Sequence, residues 1–284
     1  MISVQNLRYR YPHSNKEAVA GISFEVAPGE IFGFLGPSGA GKSTTQKVLI
    51  GLLKDYGGSS LVKGREISAW NRAYYSHIGV GFELPNLYSK FTALENLNFF
   101  AALYDKPCGE PLELLKMVDL DQDAHTRVAE FSKGMKMRLN FCRALLHDPE
   151  ILFLDEPTSG LDPQNARRIM EIILEQRSRG KTVFLTTHNM TVADELCNRV
   201  AFMVDGRIPV IGSPRELKIQ HGKKYVRVET RRKGSLQQQD FPLQGIGENR
   251  DFLSLLQSQE VETIHSQEAS LEDVFMASTG RGLL

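Results

Sequence analysis

The chain has 284 residues with 34 Lys+Arg against 34 Asp+Glu, so its net charge is zero and no global charge draws it to nucleic acid. Apolar residues make up 41%, ordinary for a soluble globular protein, and the length suffices for one large core plus a small one. The opening MISVQNLRYRYP lacks the apolar stretch of a secretion signal, and no uncharged apolar run approaches the ~20 residues that cross a bilayer, so a cytosolic chain is expected that reaches any membrane through a partner.

In chain order, apolar runs rich in β-branched and aromatic residues predict strands at 21–26 (GISFEV), 30–36 (EIFGFLG), 77–83 (HIGVGFE), 150–156 (EILFLDE), 182–188 (TVFLTTH) and 199–206 (RVAFMVDG). Several are apolar almost throughout, as in a parallel sheet covered by helices on both faces. Helical patterns follow Gly41 and fill 165–180 and 190–199, so the core reads as α/β. Between the strands at 77–83 and 150–156 only helices are expected: 92–104, with Thr92 as N-cap and Glu95 three residues on, then 110–120 and 133–146. After about Gly212 the composition changes, with strands expected at 223–234 and 261–266 and helices at 249–259 and 270–280. The organisation is thus an α/β domain over 1–215, with a helical subdomain at about 84–146, and a small α+β domain over 216–284. Cys108, Cys142 and Cys197 are widely spaced with no CxxC pair, which predicts reduced, buried thiols in place of disulfides or zinc.

Residues 36–44, GPSGAGKST, fit the P-loop pattern Gly36-x4-Gly41-Lys42-Ser43 between a predicted strand and a predicted helix. Gly36, Pro37, Ser38, Gly39, Ala40 and Gly41 form a loop whose backbone N–H groups turn inward on phosphates, and the helix start through Thr44 adds positive potential. Lys42 is expected on the β- and γ-phosphates and the Ser43 hydroxyl on Mg²⁺. A glycine-rich turn with a chance lysine would not need strand and helix both in place. The apolar strand ILFLD ends in Asp155, the usual Mg²⁺ partner in such sites, and Glu156 follows where a carboxylate can orient or deprotonate an attacking water. The expected ligand is a nucleoside triphosphate, hydrolysed.

A second anion site is suggested at 132–146. There Ser132 and Gly134 open a basic amphipathic helix with Met135, Leu139, Cys142 and Leu146 along one face, although an ordinary serine N-cap explains the same residues. The whole string VAEFSKGMKMRLNFCRALLHDPEILFLDEPTSGLDP (128–163) resembles the signature, Walker B and D-loop run of ATP-binding-cassette (ABC) ATPases, and the likeness extends over about residues 2–212. The resemblance implies a P-loop NTPase core of the ABC ATPase type that binds ATP and Mg²⁺. It also implies head-to-tail pairing with a second cassette, in which the P-loop of one chain and the Ser132–Gly134 turn of the other clamp one ATP. By motif, Tyr11 matches the aromatic that stacks on adenine, His188 the switch histidine that contacts the γ-phosphate, and Asp162 the D-loop acid at the dimer interface.

Two positions depart from the family pattern. Phe131-Ser132-Lys133-Gly134-Met135 replaces Leu-Ser-Gly-Gly-Gln, and Glu83 stands at the Q-loop glutamine, where its carboxylate can approach Mg²⁺ while adding negative charge beside triphosphate. With the SLEDVFMASTGRG ending, these are similar to the stand-alone ATPase subunits of drug, lipid and polysaccharide exporters, including the daunorubicin-resistance type. That branch implies a separate multi-helix membrane permease as partner, whose cytoplasmic helix docks near 83–97, and a location at the inner face of the membrane. Each chain carries both half-sites, so a homodimer is sufficient. The alternative is a soluble cassette ATPase acting on nucleic acid or ribosomes. Its relatives resemble fused cassettes or carry coiled coils or zinc inserts, none of which this sequence has.

Overall fold

The computed structural model describes residues 1–105, 108–222, 224–232 and 235–280. Strands β1 (Ile2–Tyr9), β2 (Val19–Val26) and β3 (Ile31–Leu35) lead to helix α1 (Lys42–Leu49), then β4 (Gly57–Val62), β5 (Arg65–Glu66) and β6 (Ile78–Gly81). Helices α2 (Ala93–Ala101), α3 (Pro111–Met117) and α4 (Lys133–Leu145) follow, with no strand between them among the described residues. The alternation then resumes with β7 (Ile151–Asp155), α5 (Pro163–Ser178), β8 (Thr182–Thr187), α6 (Met190–Leu196), β9 (Arg199–Val204) and β10 (Arg207–Gly212). The rest comprises α7 (Pro214–His221), β11 (Tyr225–Arg232), β12 (Ser235–Pro242), α8 (Arg250–Ser258), β13 (Glu260–Ser266) and α9 (Leu271–Thr279). Packing divides the chain into Met1–Pro214 and a unit that begins at Arg215.

Burial explains how the first unit's strands sort. β3 and β8 are buried at every residue and sit inside a six-stranded sheet of order β10-β9-β3-β8-β7-β6, parallel except for β10. β2 alternates, with Ile22, Phe24 and Val26 inward and Ser23 and Glu25 outward, and it joins a separate antiparallel sheet of order β2-β1-β4-β5. The sequence predicted a strand at 21–26 and a parallel sheet for the strands that are apolar almost throughout, without saying which sheet 21–26 enters. The period of two in β2, the mark of a sheet with one wet face, decides it. The two sheets meet over phenylalanines: Phe24 stacks on Phe32 at 5.6 Å, Phe34 lies 4.9 Å from both Phe24 and Phe184, and Phe153 lies 5.8 Å from Phe184.

The helical insert begins with a full capping box, in which the Thr92 hydroxyl accepts from Glu95 N–H and the Glu95 carboxylate accepts from Thr92 N–H. Helix α4 differs from the amphipathic expectation. Leu139, Cys142 and Leu146 are buried as expected and Met135, the fourth residue of that face, is only half-buried, but Met137, Asn140, Phe141, Ala144 and Leu145 are buried too, because β6 lies along one side and α2 and α3 along others. At Gly79 in β6 an added Cβ would stand 2.0 Å from the carbonyl oxygen of Ala144, so only glycine lets α4 lie this close to the sheet. Burial drives the Cys142 and Cys197 thiols far above their ordinary pKa, and Cys108 is half-buried.

In the second unit, β12-β11-β13 form an antiparallel sheet. Val226, Val228 and Phe241 on one face meet Phe252, Leu255 and Leu256 of α8. Ser270 and Asp273 cap α9 reciprocally. β12 was absent from the sequence reading because SLQQQDFP offers no apolar alternation; its register with β11, from Tyr225↔Pro242 to Arg232↔Ser235, forms it. Lys223, Lys233 and Gly234 of the expected strand 223–234, and residues 281–284, lie outside the described residues. Among the described residues no helix is long and apolar enough to cross a membrane.

Gly79→Ala is expected to destabilise the protein by about 3 kcal/mol, the upper range for overpacking, because the clash is with backbone and no side chain can yield. Urea unfolding of wild type and variant measures it; a difference under about 1 kcal/mol would mean that α4 shifts freely on β6.

Candidate functional site

The loop from Gly36 to Gly41 leaves β3 at its carboxyl end and enters α1. It is glycine-built for two reasons of space. A Cβ at Gly36 (φ +153°) would sit 2.1 Å from Met203 O, and one at Gly41 (φ +111°) 2.3 Å from Ala18 O. The opening N–H groups of α1 have no helical acceptor. Lys42 Nζ donates to the carbonyls of Gly36 (2.6 Å) and Pro37 (3.0 Å). Burial lowers its pKa, against an opposing pull from Glu156, Asp155 and Glu83. Its charge is therefore held at a desolvation cost that an arriving polyanion would relieve.

Three carboxylates stand across from the lysine. Asp155, at the end of β7, accepts from the Thr186 hydroxyl and, at 3.4 Å, from the Ser43 hydroxyl. Glu156 has φ +50°, a left-handed conformation costing a non-glycine residue about 1–3 kcal/mol. That turn aims its buried carboxylate back at the end of β8. There it accepts from Thr187 Oγ1 (3.1 Å) and His188 N–H (3.0 Å), and lies 2.7 Å from His188 Nδ1. Glu83, exposed in the segment after β6, completes the set. Ser43 and Asp155 are adjacent oxygen donors, the ligand type Mg²⁺ prefers, and the acid excess around one lysine suits a divalent cation.

One cavity of about 490 Å³ gathers these groups: Ser38 to Thr44 line it with Tyr11, Glu83, Asp155, Glu156 and His188. This volume lies within the range of small-ligand sites. Tyr11 stands edge-on to Tyr9 at 5.0 Å, with its hydroxyl 3.2 Å from Thr44 Oγ1. Gly36 and Pro37 lie behind the wall and contribute their carbonyls to Lys42. Ser132, Gly134 and Asp162 are not among the lining residues. They belong to a second patch, in which the Ser132 hydroxyl accepts from Met135 N–H, Asp162 accepts from the N–H groups of Gln164 and Asn165, and Gly134 packs beside Leu161 and Gly160. Ser132 thus caps α4 and stays exposed at the same time.

A family model described as "ABC transporter" matches residues 19–159, and one described as "Fluoroquinolone efflux ABC transporter C-terminal domain" matches 224–268. A fluoroquinolones export ATP-binding protein of Mycobacterium tuberculosis (strain CDC 1551 / Oshkosh) is 56% identical over 284 residues, 100% of this chain and 94% of that protein. This chain belongs to the ABC transporter family. A Nod factor export ATP-binding protein I of Burkholderia pseudomallei (strain 1710b) is 41% identical over 220 residues, 76% of this chain and 72% of that protein. Among solved structures, the dimeric post-hydrolysis state of the ATP-binding cassette MJ0796 bound to ADP and Pi aligns with a TM-score of 0.69 and 27% identity, over 75% of this chain and 98% of that one. This ABC protein is an ATP-binding ATPase of the export type, and the alternative of a nucleic-acid or ribosome ATPase is set aside.

Thr186 and Thr187 were missed by sequence reasoning, although they hold the two acids in place. Their signal was available: two hydroxyls at the end of a strand buried at every residue must find partners. Lys42→Met is expected to leave the nucleotide-free melting temperature unchanged or raise it, since a costly buried charge is removed. It should also weaken ATP binding about 10- to 100-fold, the loss of a charge-assisted bond or two. Thermal melts with and without ATP test both halves.

Proposed function

We propose that two copies of this chain close around two Mg-ATP and thereby drive a separate membrane permease in exporting a drug-like substrate of the fluoroquinolone class. The observation that carries the shared-site reading is the separation of the two patches. The P-loop cavity has no wall from Ser132, Gly134 or Asp162, so one chain supplies one half of each site. The dimeric cassettes among the structural neighbours support it, and the full-length likeness to fluoroquinolone export proteins supports the substrate class.

In this reading Tyr11 stacks on adenine, the loop 36–41 and Lys42 hold the phosphates, and Ser43, Asp155 and Glu83 hold Mg²⁺. The cation neutralises phosphate charge beside the carboxylates. Glu156 accepts a proton from a water whose oxygen attacks the γ-phosphorus as the bond to ADP breaks, while His188 steadies both Glu156 and the γ-phosphate. Ser132 and Gly134 of the second chain cover the γ-phosphate, and Asp162 works across the interface. Hydrolysis removes the shared group and reopens the pair. Moving such an equilibrium from 1:99 to 99:1 takes about 5.5 kcal/mol, which two triphosphates, each gripped from both sides, can supply.

The permease would hold the ATPase at the cytoplasmic face of the membrane. A groove of about 750 Å³ between residues 72–76 and the end of α2 is walled by Phe100 and Tyr104, with Tyr75 and Leu103 43% and 50% exposed. We assign the permease's cytoplasmic helix to this groove. It lies beyond residues 83–97, which the sequence reading gave as the docking surface, at the carboxyl end of α2.

Glu156→Gln with Mg-ATP is expected to sediment as a dimer. Adding Gly134→Asp should leave a folded monomer, since an acid in the first turn suits the helix dipole yet repels the partner's γ-phosphate. A double variant that still dimerises would sink the shared site. Leu103→Asp should keep the ATPase of the isolated chain within about twofold, being a surface change away from the chemistry. It should abolish the resistance conferred with the permease, and full resistance would move the docking site elsewhere.

A further inference from the structure

Two polar side chains of helix α4, Asn140 and Arg143, bond the segment that follows β6. Asn140, 2% exposed, donates from Nδ2 to the carbonyl of Phe82 at 2.7 Å, while its Oδ1 is buried without a partner. A small cavity of about 10 Å³, room for one water, is bordered by Asn140, Phe82 and Asp155. Arg143, three positions on and so on the same helix face, donates to the carbonyl of Asn86 at 3.0 Å. Its guanidinium lies 5.7 Å from the Phe82 ring centre and 5.0 Å from that of Phe100. Both acceptors are main-chain atoms flanking Glu83. A leucine at 140 would fill similar space without an orphaned oxygen, so what the amide adds is a directional bond to one backbone atom.

The far end of the same segment is tied to the same insert. Tyr88 N–H donates to Asn96 Oδ1 at 2.8 Å, and the N–H groups of Ala129 and Val128 donate to the carbonyls of Ser89 and Phe91, both at 2.9 Å. The near end, at Phe82, leaves β6 directly into the nucleotide cavity through Glu83. The two α4 side chains are therefore the ties nearest to the carboxylate.

We propose that Asn140 and Arg143 are positioning residues, a latch that fixes the Glu83 segment to α4 so that the two move as one piece. α4 starts at the Ser132 turn. Resting on the shared-site reading above, engagement of that turn by the nucleotide of the partner subunit then sets Glu83 in the chain's own cavity, so each site registers the closing of the other.

The test uses the full-length chain with Asn140→Leu, and with Asn140→Ala as a smaller variant that cannot overpack. In the nucleotide-free protein, amide exchange at 83–87 is expected to accelerate about tenfold while the P-loop stays unchanged, the pattern of a local opening. ATP affinity should stay within about twofold and kcat should fall about tenfold, which separates positioning from binding. Unchanged exchange at 83–87 in a folded variant overturns the latch. So does a joint loss of affinity and kcat, which signals general damage. Arg143→Gln repeats the test from the second bond, and failure of all three variants to fold assigns these residues a purely structural part and also overturns it. Dimerisation of Glu156→Gln is scored separately: its absence refutes the shared site, while the exchange result still decides the latch.

Discussion

The functional geometry depends on the packing of β3, β8 and β7 through Phe24, Phe32, Phe34, Phe153 and Phe184. Ring pairs at 4.9–5.8 Å contribute about 0.5–1.5 kcal/mol each beyond area burial, and they fix neighbouring strands against one another and against the antiparallel sheet. The strand ends then deliver the chemistry. β3 releases the loop into Lys42, β7 ends on Asp155, and β8 ends on Thr187 beside His188. Because the three strands are parallel and in register, all of these emerge at one edge, as ligand sites in open α/β sheets do. A shift in the phenylalanine cluster would displace lysine and carboxylates together.

At that edge the site spends stability on readiness. Lys42 is held charged against burial, Glu156 is held in a left-handed conformation, and three carboxylates face one ammonium. Hydroxyls limit the cost: Thr186 and Ser43 satisfy Asp155, Thr187 satisfies Glu156, and Tyr11 and Thr44 satisfy each other. Each is a group that can release its partner when phosphate oxygens arrive.

What the sequence made legible followed from local rules. GPSGAGKST between strand and helix, the apolar run into Asp155-Glu156, and Thr92 with Glu95 all declare themselves within a dozen residues, and each has the local form those rules give it. Assignments that depend on distant packing were not legible. Residues 21–26 and 31–35 are similarly apolar, yet they enter different sheets, and only the period of two in the first distinguishes them. α4 looked amphipathic because its lysines and arginines mark a wet face, but its enclosure by β6, α2 and α3 is a tertiary fact that Gly79 alone hints at. The pairing of Glu156 with Thr187 and His188 spans about thirty residues and required both strand ends to be placed first.

The second patch is joined to the cavity by short stretches of chain. From the strained Glu156 the chain turns through Ser159, whose N–H donates to Glu156 O, and reaches Gly160, Leu161 and Asp162 within six residues. Gly160 and Leu161 lie against Lys133 and Gly134, so this loop and the start of α4 present one continuous surface. Anything that presses on that surface pushes a short, hydrogen-bonded loop whose other end sets the direction of the Glu156 carboxylate. The same surface leads along α4 to Phe82 and Asn86, on either side of Glu83. Two of the three carboxylates in the cavity are thus mechanically continuous with a face that is not in the cavity. In the proposed pair of cassettes, that connection would make hydrolysis in each site conditional on contact with the other.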